Sequence, residues 1–268
     1  AVKREYAHES KQIGVWKEFI SFSKLDRQIK PAKTLADIKP KLALVYADGN
    51  AMGKRIRSLK SPEEYKLFSE TVDNAIRKAC FKGLRPVVEK NLTTEDIHVP
   101  TDILLLGGDD LVVVLPAEDA LEFAYTVTTS FESKTQETLK KKVTLSIGVI
   151  VGGPTYPFPF MLDFAEQLLR SAKEKATSVD SEEPPSVVDF HIATSSNSLD
   201  IYTARNEYGL DCDEYKRTKR PYVVQDLELL FRIKRQLSES KFPKSRLNSL
   251  YNALFGTYKQ AAYHTRKI

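Results

Sequence analysis

Three aspartates carry most of the chemistry available in this sequence. Asp109 and Asp110 close the tetrapeptide Gly107-Gly108-Asp109-Asp110, and Asp48 opens Asp48-Gly49-Asn50. Carboxylates brought within a few ångströms repel one another unless a cation sits between them. Hard oxygen ligands select Mg²⁺ or Mn²⁺, and Mg²⁺ usually takes one or two carboxylates together with substrate phosphates. That donor set suits metal-assisted phosphoryl transfer. Gly49, Asn50, Ala51, Met52, Gly53 and Lys54 follow Asp48. Small residues let backbone N–H groups approach an anion, and Lys54 is a candidate phosphate contact. The same residue types also make ordinary strand-ending turns, so the chemistry depends on whether the fold gathers them.

The flanking elements decide that. Leu42 to Ala47 is a short apolar run typical of a buried strand, and Asp48-Gly49-Asn50 ends it as a turn. Ser61-Pro62-Glu63-Glu64 reads as a capped helix start, followed by an apolar stripe at Tyr65, Phe68, Val72, Ile76 and Ala79. Ile103–Leu106 and Leu111–Leu115 flank the Gly-Gly-Asp-Asp turn, which predicts a β-hairpin. Strand alternation sends Asp109 and Asp110 to different sides unless the turn twists them. Leu121, Ala124, Val127 and Phe131 mark a second helix, residues 143–151 a strand, Met161 to Ala172 a third helix, and residues 187–192 a final strand. This order predicts an α/β fold of the ferredoxin-like type, with a mixed sheet and helices mainly on one face. Residues 1–40 form an N-terminal segment with a short helical pattern, docked through Trp16. Residues 41–200 form the α/β domain. Residues 201–268 form a helical appendage with stripes at Leu227, Leu230, Ile233, Leu237 and at Leu247, Leu250, Tyr251, Leu254.

Composition narrows the class. The 268 residues hold 41 Lys and Arg against 36 Asp and Glu, a net charge of +5. That charge fits a phosphate-bearing ligand without requiring one. Two cysteines, Cys80 and Cys212, exclude a disulfide-rich scaffold and a Cys-based zinc site, and point to a cytoplasmic setting. No apolar run reaches the ~18 residues of a membrane span, and no signal peptide opens the sequence. His8, His98, His191 and His264 are scattered, so no zinc site is expected; His191 reads as a sheet residue. Ser195 and Ser196 read as a loop cap. The basic cluster Lys216 to Tyr222 reads as a solvated loop, or as a contact for RNA phosphates.

Tyr46-Ala47-Asp48-Gly49-Asn50-Ala51-Met52-Gly53, followed by Gly107-Gly108-Asp109-Asp110, resembles the catalytic palm of the large polymerase-like subunit of type III CRISPR effector complexes. It is similar also to stand-alone proteins carrying the second palm of that subunit. More distantly, it resembles GGDEF diguanylate cyclases and class III nucleotide cyclases. Thr144 to Val149 resembles the strand after the hairpin in these families. Ala165 to Lys173 resembles the next helix, whose lysine reaches triphosphate.

The resemblance implies a nucleotidyltransferase. A ribose hydroxyl attacks the α-phosphate of a second nucleotide, and pyrophosphate leaves. ATP is the expected substrate, with cyclic or linear oligonucleotide messengers as products and antiviral defence as the setting. Asp48, Asp109 and Asp110 are the implied catalytic carboxylates. Together with Gly49 they would bind Mg²⁺ or Mn²⁺. Gly49, Asn50, Met52, Gly53, Lys54, Gly107, Gly108 and Lys173 are the implied nucleotide contacts. Asn50 departs from the pattern, since a second acid often stands there. Asp110 is not the Glu of diguanylate cyclases, which argues against cyclic di-GMP. One palm alone implies a homodimer, a second palm-bearing chain or a larger protein, and RNA or an RNA–protein complex is a further implied partner. No His-Asp pair precedes the palm, so no nuclease activity is expected.

Overall fold

The computed structural model describes residues 14–25, 29–38, 41–92, 98–153, 155–193, 200–207 and 218–254. The expected positions His8, Ser195, Ser196, Cys212, Lys216, Arg217 and His264 lie outside the described residues.

A short N-terminal helix, α1 (14–23), precedes the sheet. The order is then β1 (Leu42–Gly49), α2 (Met52–Arg57), α3 (Pro62–Asn91), β2 (Asp102–Gly107), β3 (Asp110–Pro116), α4 (Ala120–Leu139), β4 (Leu145–Gly152), α5 (Phe158–Val179), β5 (Val187–Ile192), α6 (Ile201–Glu207), β6 (Tyr222–Val223), α7 (Val224–Glu239) and α8 (Lys244–Leu254). The six strands form one mixed sheet in the order β2-β3-β1-β4-β5-β6. β1 lies antiparallel between β3 and β4, and among these six described strands only the β4–β5 pair is parallel.

The first four strands with α3 and α4 make the ferredoxin-like βαββαβ unit. Alternation along β1 assigns its two faces. Ala43, Val45 and Ala47 pack with α1, α3 and α4 around Phe19, Phe81, Phe123 and Phe131. Leu42 and Leu44 pack with α5 around Phe164 and Leu168. The expectation of helices mainly on one face holds for α1, α3, α4 and the start of α7, and α5 is an exception. The connection from β4 to the parallel strand β5 must cross the sheet, and α5 makes that crossing over the opposite face. Gly148 on β4 permits it: a Cβ there would lie 2.3 Å from the Ala165 carbonyl oxygen and 2.6 Å from the Leu169 nitrogen.

The sheet also runs past residue 200. The two-residue strand β6 pairs with β5, and Val224 and Leu227 at the start of α7 join the main core. Trp16 docks α1 in that core, edge-on to Phe19, and its indole N–H donates to Asp102 Oδ1. Further along, Ile233, Leu247 and Tyr251 are exposed rather than buried.

α3 starts as read from the sequence, with Ser61 Oγ accepting from the Glu64 N–H at 3.2 Å. The reciprocal bond reaches one residue further back, from the Lys60 N–H to Glu64 Oε2. The helix continues well past Ala79 to Asn91 and carries Pro86 in its interior.

Candidate active site

The β2–β3 hairpin turns on two residues, because Gly107 and Asp110 still pair in the ladder. Gly108 takes φ +63° at the first loop position, where a tight hairpin turn favours glycine. Register then places the carboxylates. Tyr46 faces Val112 and Ala47 faces Leu111, so one further step sets Asp48 opposite Asp110. Both continue the α5-side parity of Leu44 and Val112. Asp109 leaves the turn toward β1. Its Oδ2 lies 2.7 Å from where a Cβ of residue 49 would stand, so only glycine there leaves room for the carboxylate. Asp109 thus comes to the sheet end from the Gly49 side and Asp110 from the α5 side; Asp109 hydrogen-bonds with Asp48, and Asp110 acts on the pair through its charge.

The electrostatics follow from that convergence. Burial, a hydrogen bond with Asp48 and the charges of Asp48 and Asp110 push the Asp109 carboxyl up to about 6. Burial and the Asp48 charge raise Asp110, while Lys173 opposes the rise. Lys173 projects from α5 and forms an ion pair with Asp48 Oδ2. Tyr46, two residues before Asp48 on the same face, is held above its ordinary value by burial and by Asp110, Glu166 and Asp48. The site is therefore an acidic cluster at the sheet end with one lysine against it.

Other expected residues lie elsewhere. Asn50 is buried and its amide is fully engaged. Nδ2 donates to Thr144 Oγ1 and to the Pro185 carbonyl, both at 3.1 Å, while Oδ1 accepts from Ser146 Oγ. It ties β1 to the strand-start loops and does not turn toward the carboxylates. Lys54 is exposed on α2 and paired with Glu182. Met52 packs half-buried against the core with its side chain beside Gly49, and Gly53 is open except for Arg57. A cleft of about 580 Å³ lies beside α2, between the start of α3 and the end of α4; Ala51, Lys54 and Arg55 line it, and none of the three aspartates does. His191 is buried and stacked on Phe164, and burial with Arg220 and Arg205 lowers it to about 4, so it stays neutral at pH 7. Cys80 is a core residue.

Two neighbours of the site escaped the sequence reading. Tyr46 was legible in principle, since strand alternation puts it beside Asp48. Asp73 was not: its Oδ1 accepts the Gly108 N–H at 2.9 Å from 35 positions away.

The family model of the Cas10/Cmr2 second palm domain matches residues 41–180. The chain belongs to this family. Its palm is that of the large subunit of type III CRISPR effector complexes. The matched residues run from β1 through α5, and so contain every side chain of the acidic cluster. Solved structures with the same fold include the apo Csm1–Csm4 cassette, at 18% identity and TM-score 0.55 over 84% of this chain and 31% of the matched chain. The Csm1–Csm4 cassettes in complex with cA4 and with pppApApA match at 18% identity, with TM-scores of 0.54 and 0.53. They cover 83% and 84% of this chain and 30% and 31% of theirs. The chain thus spans less than a third of the length of these Csm1–Csm4 cassette chains. No match is found among curated proteins.

Among the described residues, no group of three or more His, Cys, Asp or Glu side chains is arranged to hold a metal ion. Mg²⁺ does not need such a cage, because one or two carboxylates suffice when phosphate oxygens and water complete its shell. The Asp48–Asp109 pair fits that requirement. Two carboxyls in hydrogen-bonding contact must either share a proton or face a cation. No described helix is long and apolar enough to cross a membrane.

Proposed function

We propose that this palm is a metal-dependent nucleotidyltransferase that condenses NTPs, most readily ATP, into cyclic or linear oligonucleotide messengers for antiviral defence in the cytoplasm. One observation carries the reading: Asp48, Asp109 and Asp110 meet at the end of the sheet with Lys173 against them. Membership of the Cas10/Cmr2 palm family supports it.

Asp48 and Asp109, with the Gly49 carbonyl, are the groups that would hold Mg²⁺ or Mn²⁺, with Asp110 beside them. Such an ion supplies a Lewis acid for the phosphoryl oxygens and lowers the pKa of the attacking hydroxyl. The side-chain-free turn at Gly108 leaves space for a nucleotide against the backbone. Lys173 is a point charge within reach of phosphates beside Asp48, and exchanges its carboxylate partner for the triphosphate. In the reaction, the ribose oxygen of one nucleotide bonds to the α-phosphorus of another. The α–β bridging bond breaks, pyrophosphate leaves, and the hydroxyl proton is lost to solvent. Two nucleotides must meet, so a second palm, from another copy or another chain, faces this one.

A second reading is a silent palm that binds nucleotide or RNA within a larger complex. Asn50 favours it, because no second carboxylate follows Asp48 there and the Asn50 amide is engaged by Thr144, Pro185 and Ser146 instead. Incubation with each NTP and Mg²⁺ or Mn²⁺, followed by mass spectrometry, separates the two. A metal-dependent oligonucleotide, absent from the Asp109→Ala/Asp110→Ala variant, is the expected result. ATP binding without product from the chain, alone and with a second palm supplied, selects the silent palm.

A further inference from the structure

The turn that carries Asp109 is held from outside the site. Asp73 lies in the first half of α3, on the sheet face opposite α5. Its Oδ1 accepts the Gly108 N–H at 2.9 Å, and its Oδ2 accepts from Arg77 Nε at 2.8 Å. Arg77 Nη1 in turn donates to Glu18 Oε2 on α1 at 3.2 Å. A second tie fixes α1 to the same hairpin, where the Trp16 indole donates to Asp102 Oδ1.

A two-residue turn has few internal restraints. Gly108 has no side chain, and its left-handed φ is accessible to glycine without being enforced by it. The Gly108 N–H points away from the ladder, so its orientation is set by whatever accepts it. A carboxylate acceptor gives a stronger, more directional bond than water does. The carboxylate is itself oriented, because a guanidinium holds its other oxygen. Rotation of this peptide would carry the next residue, Asp109, off its place above Gly49.

We propose that Asp73 is a positioning residue for the site, fixing the Gly108–Asp109 turn through the Gly108 N–H, and that α1 sets its geometry through Glu18 and Arg77. The role in turnover rests on the condensation reading above; the role in holding the turn does not. Ordering or displacing α1 then adjusts the placement of Asp109 without touching nucleotide.

The test compares Asp73→Ala, Asp73→Asn and Arg77→Met with the parent chain, with the second palm supplied if turnover requires it. Asparagine keeps an oxygen acceptor for Gly108 and gives up the ion pair. Asp73→Ala is expected to lower kcat about tenfold with KM for ATP within about twofold, the signature of misplaced catalytic groups rather than lost binding. Asp73→Asn restores most of that loss, and Arg77→Met falls between. Gly108 amide exchange, read by NMR in the same proteins, is fast in Asp73→Ala and near the parent rate in Asp73→Asn. Parent-like kcat and Gly108 exchange in Asp73→Ala overturn the proposal, as does equal impairment of the Ala and Asn variants. If the parent chain makes no product, the condensation reading fails instead, and the exchange rates alone decide whether Asp73 holds the turn.

Discussion

Removing one charge from the acidic cluster should stabilise the metal-free protein while disabling its site. Asp109→Asn keeps the shape and hydrogen-bonding capacity of the side chain and removes its ionised form. In the native chain this carboxyl is raised from 3.8 to about 6, by burial first and then by Asp48 and Asp110. Such a rise disfavours the ionised form by about 3 kcal/mol. The site is half-exposed, and solvent screening leaves about 1–1.5 kcal/mol of that. For a chain of this size the gain in Tm is about 2–6 °C. The native carboxyl holds its proton more tightly than the unfolded chain does, which fixes the direction with pH. The penalty is complete above pH 6, fades as the pH falls from 6 toward 4, and is gone below that. Thermal unfolding in EDTA should therefore show Asp109→Asn more stable than the parent at pH 8, with about half the gap at pH 5. Mg²⁺ added at pH 8 should raise the parent and narrow the gap. A variant no more stable than the parent at pH 8, or a gap that ignores pH, refutes the argument that these carboxylates strain one another.

Three further outcomes follow from named contacts. Gly148→Ala forces α5 off the sheet, because its Cβ meets the Ala165 and Leu169 backbone; urea unfolding should show a loss of about 2–3 kcal/mol. Asn50→Asp adds a second carboxylate after Asp48, yet removes the donors to Thr144 and Pro185. It should cost about 1–3 kcal/mol in the same assay and give no gain in product formation. Lys173→Met removes the cation beside Asp48 and should weaken ATP binding by about tenfold in calorimetry, with the Asp110 carboxyl rising further in an NMR pH titration.

The parts of the fold legible in the sequence were those set by local pattern. Apolar runs of strand length marked β1 to β5, and the Ser61-Pro62 start marked α3. The candidate site was legible for a related reason: β1 and the hairpin each end in aspartate, and their pairing is what the βαββαβ order imposes. What failed to show depended on contacts between distant elements. The crossing of α5 over the second face rests on the backbone approach at Gly148, which no periodicity encodes. β6 is too short for a strand pattern, and exists because it pairs with Val187 and Val188. Asn50 looked like a weakened ligand in a linear motif and is a buried brace in three dimensions. Asp73 sits among ordinary polar helix residues, and only the fold brings it to Gly108.

In the proposed function, Asp48, Asp109 and Lys173 form one metal-dependent nucleotide site. Calorimetric titration of ATP into the parent chain and into Asp48→Ala/Asp109→Ala, with Mg²⁺ or with EDTA, decides it. Binding that requires the metal and is lost in the variant is the expected result. Binding of equal strength in EDTA, or undiminished in the variant, would contradict it.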